Sequence, residues 1–191
     1  MARQVTDRVP PGQHVTDKWP VLHYGGIPRF NPQTWDFRIF GLVEEPVRLT
    51  YEEFRALPTT TVTCDIHCVT AWSRLGATFE GVAARTVLDL VKVRPEATFV
   101  MAHSEQGYET NLPIEYLLAD DALFAHRADG KDLTPEHGWP LRLLIPRLYF
   151  WKSAKWVRGI ELMATDRAGF WERNGYHMHA DPWKEERYSS P

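Results

Sequence analysis

Cys64-Asp65-Ile66-His67-Cys68-Val69-Thr70-Ala71-Trp72-Ser73 holds both cysteines of this 191-residue chain. The alternation of Val62, Cys64 and Ile66 predicts a half-buried strand. The polar and aromatic run after it predicts a loop. A thiol at the end of a strand, just ahead of Trp72 and Ser73, is placed to act as a nucleophile or to ligate a metal. A thiolate is a soft ligand, suited to a soft or high-valent centre. Plainer readings compete. Free cysteines often pack as small hydrophobes, and Cys64, on the apolar side of the strand, fits that description. Two cysteines four apart in an extended strand do not reach disulfide distance. A structural zinc site would need two further ligands, and there is no second cysteine pair.

The flanking blocks decide between these readings. His67-Cys68-Val69-Thr70-Ala71-Trp72-Ser73 resembles the molybdenum-binding loop of the sulfite oxidase fold family. The match is closest to its minimal bacterial branch, which includes the periplasmic methionine sulfoxide reductase catalytic subunit. Trp35 to Glu44 resembles the family's opening strand, and Leu49 to Pro58 its first helix. His137-Gly138-Trp139-Pro140-Leu141-Arg142 and Lys152-Ser153-Ala154-Lys155-Trp156 resemble its pterin-binding loops. The resemblance runs from about Pro20 to Val157, with the motifs in the family's order.

The resemblance implies an oxidoreductase that uses a molybdenum-molybdopterin cofactor, with Cys68 as the metal ligand. It implies that His23 and Tyr24 lie in the N-terminal pterin loop. His137, Arg142, Ser153, Ala154 and Lys155 match later pterin contacts, and His103 falls near another. The acidic end of such a cofactor needs cations and backbone donors, which Arg142 and Lys155 can supply. Trp72 and Arg74 are expected at the catalytic end of the site. The implied reaction is two-electron oxygen-atom transfer on a small S- or N-containing substrate.

The chain also departs from its relatives. Sulfite oxidases carry an arginine-rich sequence after the cysteine, whereas here Arg74 stands alone near the motif, with Arg147 and Lys152 as the other cations expected to offset an anionic substrate. The sulfoxide reductase branch has Glu two residues after the cysteine, where this chain has Thr70. No haem motif and no immunoglobulin-like dimerisation domain follow, so a separate electron-transfer partner is expected.

Composition sets the outer limits. Hydrophobic residues at 43% and charged residues at 25% suit one globular domain. A net charge of -3 argues against nucleic-acid binding. No apolar run approaches membrane-spanning length. The N-terminus lacks a hydrophobic core segment and an adjacent arginine pair, which gives a cytoplasmic expectation for a complete chain. Eight tryptophans suit either core packing or the walls of a large cleft.

Along the chain, residues 1–19 read as a flexible arm, 20–165 as the cofactor domain and 166–191 as an aromatic extension packed on it. Trp35, Phe37 and Ile39 alternate as a strand closed by Gly41. Thr50 and Glu53 predict a capping box, and Thr86 with Asp89 a second one. An irregular stretch is expected after the cysteine strand, up to Gly81. Thr98 to His103, Leu141 to Ile145 and Val157 to Met163 read as strands, Ser104 to Asn111 as a loop, and Pro113 to Leu118 as a helix. The fold class is α+β, of sulfite oxidase type, with mixed sheets, short helices and long loops. His177 and His179, two apart in an extended stretch, would point the same way and are a candidate second metal seat. The alternatives to the leading function are a methionine or protein sulfoxide reductase, a non-catalytic cofactor carrier, and a structural metal module using Cys64, Cys68 and the tail histidines.

Overall fold

The computed structural model describes residues 5–189. Its frame is two mixed sheets. One is built from β1 (His14–Val15), β4 (Thr59–His67), β5 (Trp72–Ala83), β8 (Leu123–Ala128), β9 (Lys131–Asp132) and β10 (Arg142–Leu144). The other has the order β3 (Val47–Thr50), β2 (Asp36–Gly41), β11 (Val157–Met163), β6 (Phe99–Ser104), β7 (Glu109–Pro113). The pairs β1/β5 and β11/β2 are parallel, and the remaining strand pairs are antiparallel.

The helices are short: α1 (Tyr51–Arg55), α2 (Ala84–Leu88), α3 (Ile114–Leu117) and α4 (Phe170–Arg173). Thr50 and Glu53 form the capping box read from the sequence, with Glu53 N donating to Thr50 Oγ1 at 3.2 Å. The second expected box is absent. α2 starts at Ala84, before Thr86, and Ala83 caps it without a side-chain bond. Burial of Ala84, Val87 and Leu88 holds this helix instead.

Two expected loops are strands. β5 runs unbroken through the stretch read as irregular and forms a hairpin with β4. Its Gly81 lies against β8, where an added Cβ would sit 2.1 Å from Phe124 O. A strand glycine marks such a close backbone approach. β7 occupies the end of the expected Ser104 to Asn111 loop and pairs with β6.

Both chain ends converge on the turn between β4 and β5. In the segment read as a flexible arm, β1 pairs with β5, and His14 N donates to Ala71 O at 2.9 Å. Gln13 Nε2 donates to Cys68 O at 3.0 Å. In the aromatic extension, Arg187 Nη1 donates to Val69 O at 2.6 Å and Tyr149 N to Ala180 O at 2.8 Å. One buried apolar cluster fills the space around Phe37, Phe54, Phe124 and Ile160. A second, with Phe79, Tyr149, Phe150 and Trp151, contains Cys68 and Trp72.

Candidate active site

β4 ends at His67, and the chain reverses over Cys68 to Ala71. Cys68 N donates to Trp72 O at 2.9 Å and Ala71 N to Cys68 O at 3.0 Å. Ala71 takes the left-handed conformation, φ 69°, that closes the turn. Cys68 is thereby buried in the wall of a cavity of about 330 Å³. Cys64 is half-buried on β4 outside it, and burial pushes its thiol up to about 12.

The cavity gathers most of the residues singled out in the sequence. Cys68, Trp72, His23, Tyr24, Arg142, Ser153, Ala154 and Lys155 all line it. His23 and Tyr24 come from the irregular segment after Trp19. The His23 ring lies 5.4 Å from Trp156, and Tyr24 packs 4.3 Å from Phe170. Arg142 opens β10. Ser153, Ala154 and Lys155 lie in the connection to β11, where Ile145 N donates to Ser153 Oγ at 2.9 Å and Leu143 N to Ala154 O at 2.9 Å.

Three expected residues stand outside the cavity. His103, on β6, lies 3.1 Å from Glu109 and 3.0 Å from Glu161, so two carboxylates already claim its ring. Arg74, on β5, pairs with Asp129 beyond the cavity wall. His137 sits behind the wall, its ring 4.1 Å from that of Trp19 and its Nε2 3.2 Å from Trp19 O. His137 still contributes through its backbone, because its carbonyl accepts from Arg142 Nη1 at 3.0 Å.

The tail histidines are also engaged. His179 Nδ1 is 2.7 Å from Glu186, and its Nε2 is 2.6 Å from the Tyr116 hydroxyl. His177 Nδ1 accepts from His179 N and Ala180 N. Among the described residues, no group of three or more His, Cys, Asp and Glu side chains is arranged to hold a metal ion.

Aromatic residues that the sequence reading left unassigned complete the walls. Trp19, Tyr108, Trp151, Trp171 and Tyr176 line the cavity. The last two come from the extension, whose richness in aromatics was the available signal. The Trp171 and Tyr176 rings stack with centroids 5.0 Å apart.

The electrostatics of the cavity are those of an anion site. Arg142 and Lys155 reach only backbone carbonyls as hydrogen-bond acceptors among the described residues, Lys155 Nζ donating to Glu136 O at 2.6 Å. Burial pushes the Arg142 guanidinium down to about 9, still protonated at neutral pH. Burial first, then the neighbouring Arg142, pushes Lys155 down to about 7. Neither cation makes an ion pair among the described residues, although Glu136 favours the charge of Lys155 from nearby, and Glu105, the acidic residue on the cavity wall, is paired with Arg158. Buried cations without an ion-pair partner are costly, and an anion between them lowers that cost. Arg142 Nε and Trp72 Nε1 are buried donors with no partner. Thr70 Oγ1 donates to Cys68 Sγ at 3.1 Å. One thiol and two cations without ion-pair partners, set in aromatic walls, suit a large anionic group that carries a metal.

The fold and this cavity define a cofactor-dependent redox enzyme. The chain belongs to the oxidoreductase molybdopterin-binding domain family, whose pattern it matches over residues 24–171. It is 48% identical over 183 residues to the uncharacterized oxidoreductase YuiH of Bacillus subtilis, across 95% of this chain and 92% of that one. It is 26% identical to sulfite oxidase of Arabidopsis thaliana, across 82% of this chain and 49% of that protein. It is 25% identical to the protein-methionine-sulfoxide reductase catalytic subunit of Campylobacter jejuni, across 80% and 59%. The solved sulfane dehydrogenase SoxCD of Paracoccus pantotrophus superposes with a TM-score of 0.69 at 25% identity, over 80% of this chain and 43% of that one. The chain thus spans nearly all of the Bacillus relative but about half of sulfite oxidase. The fold is of sulfite oxidase type. The enzyme is a molybdopterin-dependent oxidoreductase, and its cofactor is molybdenum-molybdopterin.

Proposed function

We propose that Cys68 ligates the molybdenum, that Arg142 and Lys155 hold the acidic end of the pterin, and that the enzyme catalyses two-electron oxygen-atom transfer on a small neutral or singly charged S- or N-containing compound. The observation that carries this reading is the shared cavity, with the Cys68 thiol on its wall beside two cations that make no ion pair among the described residues. When bound, the cofactor supplies the redox chemistry and the site for oxygen exchange.

The protein's own residues supply position and environment. The turn from Cys68 to Ala71 fixes the thiol, and its carbonyls are tied to both ends of the chain. Ser153 Oγ accepts from Ile145 N and keeps its proton free to donate. Trp72, Trp151 and Trp171 exclude water from the interior wall, and Leu22 and Tyr24, both about half exposed, give the cavity an apolar mouth. That mouth favours a second reading, reduction of a methionine sulfoxide side chain, in which the apolar rim receives the methionine stem. In both readings electrons pass to or from a separate carrier protein.

The test compares Cys68→Ser with Cys64→Ser. Molybdenum content and the thiolate-to-metal absorption should both fall in the first and persist in the second. A thiolate signature lost from Cys64→Ser and kept in Cys68→Ser would reverse the assignment.

A further inference from the structure

We propose that Thr70 is a positioning residue for the redox poise of the metal, acting through its hydrogen bond to the Cys68 sulfur; this rests on Cys68 being the ligand. Thr70 Oγ1 donates to Cys68 Sγ at 3.1 Å, and both residues line the same cavity. The backbone amide of Cys68 is committed to Trp72 O, so it does not serve the sulfur.

The donor is held from outside its own turn. Gln13 fixes the Cys68 carbonyl, Arg187 the Val69 carbonyl, and the backbone of His14 the Ala71 carbonyl. Thr70 lies between these three anchors. Its branched side chain has few rotamers open to it. The hydroxyl therefore meets the sulfur in a geometry set by the N-terminal strand and the C-terminal extension together.

A hydroxyl that donates to a thiolate draws electron density away from the sulfur. The sulfur then donates less to the metal, which favours the reduced metal and raises its potential. Hydrogen bonds to ligand sulfurs tune copper and iron–sulfur centres in this way. The same hydrogen bond orients the sulfur toward the cavity without itself touching substrate.

The experiment uses the cofactor-loaded enzyme and three proteins: wild type, Thr70→Val and Thr70→Ser. Valine keeps the branched shape and loses the donor, whereas serine keeps the donor. Thr70→Val should lower the metal's reduction potential by an amount equal to about a tenfold change in the one-electron equilibrium, 59 mV. Its thiolate-to-metal band should move to longer wavelength, while Thr70→Ser stays at the wild-type values. Solvent deuteration of the wild type should shift the metal–sulfur stretching frequency, an arm that decides the matter even where the valine protein takes up no cofactor. A valine protein with wild-type potential and band, a serine protein shifted as far as valine, or a wild-type stretch indifferent to deuterium overturns the proposal. A wild-type holoenzyme with no thiolate-to-metal band fails the ligand assignment instead, which separates the two failures.

Discussion

Lys152 Nζ lies 2.6 Å from the Glu172 carboxylate, and neither side chain has any exposed surface. The pair ties the segment before β11 to α4 in the C-terminal extension. Lys152 also donates to Asn111 O and Oδ1 and to Met178 O, at 2.7–2.9 Å. The same Glu172 oxygen accepts from Thr110 Oγ1 and from Trp151 Nε1. Trp151 lines the cavity, and Trp171 and Tyr176 flank Glu172 in sequence, so this one ion pair sets the aromatic wall behind the thiol.

Removing one member of that pair leaves a buried charge unpaired, which typically costs about 3–5 kcal/mol. Lys152→Met should lower the urea midpoint by a corresponding amount. Lys152→Met combined with Glu172→Leu should recover much of that loss, because no uncompensated charge then remains. A double variant as unstable as the sum of its singles would contradict this account.

Gly138 offers a way to disturb the anion site without removing a charge. Its φ of +113° suits glycine, and an added Cβ would lie 3.2 Å from the Cβ atoms of both Arg142 and Lys155. Gly138→Ala should force the two cations apart and weaken cofactor retention. Arg142→Ala, which deletes one charge-assisted donor worth about 1.5–3 kcal/mol, should weaken it roughly ten- to hundredfold. Molybdenum content after extensive dialysis, read beside thermal stability, checks both. Full occupancy in Arg142→Ala would remove this residue from the anchor role.

Acid should destabilise the fold well above the range where carboxylates titrate. Burial lowers the pKa values of His67 and His126 from 6.5 to about 4. Between those values the unfolded chain binds protons that the folded chain does not. The part of the stability that these two neutral histidines contribute is therefore full above pH 6.5 and is lost as pH falls toward 4. Each histidine contributes a slope of at most about 1.4 kcal/mol per pH unit in that window. Denaturant midpoints from pH 7.5 to 4.5 should fall, and His126→Gln should flatten the curve. An unchanged slope in that variant would show that His126 is not a source.

The legibility of this chain followed the physics of each segment. The thiol turn was readable because Val62, Cys64 and Ile66 alternate on β4, and because the polar and aromatic run Thr70, Trp72 and Ser73 follows Cys68. β5 was missed although Leu75, Ala77 and Phe79 alternate with Arg74, Gly76, Thr78 and Glu80: Gly76 and Gly81 read as strand breakers, whereas Gly81 is there to admit the β8 backbone. β8, Leu123 to Ala128, is buried along most of its length, so it carries no two-residue period. Arg142 and Lys155, singled out as cations in a recognisable order, line the cavity with Cys68. His103 and Arg74, singled out on the same ground, lie outside it beside Glu109, Glu161 and Asp129, partners that tertiary pairing brings near and no local pattern announces. Tyr176 reaches the cavity through the Lys152–Glu172 clamp, which no local pattern encodes.

The cations near the thiol also decide which substrates fit. Sulfite is doubly charged when ionised, and desolvating it without full compensation is costly. Arg74 pairs with Asp129, Arg147 with Asp121 at 3.0 Å, and Lys152 with Glu172. In the proposed function Arg142 and Lys155 face the acidic end of the cofactor. Among the described residues no further Arg or Lys lines the cavity, whose remaining walls carry Glu105 and are rich in Trp151, Trp171, Tyr176 and Tyr24. Sulfite oxidation should therefore be weak, and neutral sulfoxides or N-oxides should turn over better, with an artificial carrier accepting two electrons in the first reaction and a reduced carrier supplying two in the second. Trp171→Ala should raise KM for an aryl or alkyl sulfoxide severalfold, since one aromatic contact is worth about 0.5–1.5 kcal/mol beyond its buried area, and should leave the sulfite constant almost unchanged. The measurement is kcat/KM for sulfite beside a panel of sulfoxides and N-oxides. A sulfite value near roughly 10⁶ M⁻¹s⁻¹, within the range of efficient enzymes, together with inert oxides, would refute the charge argument.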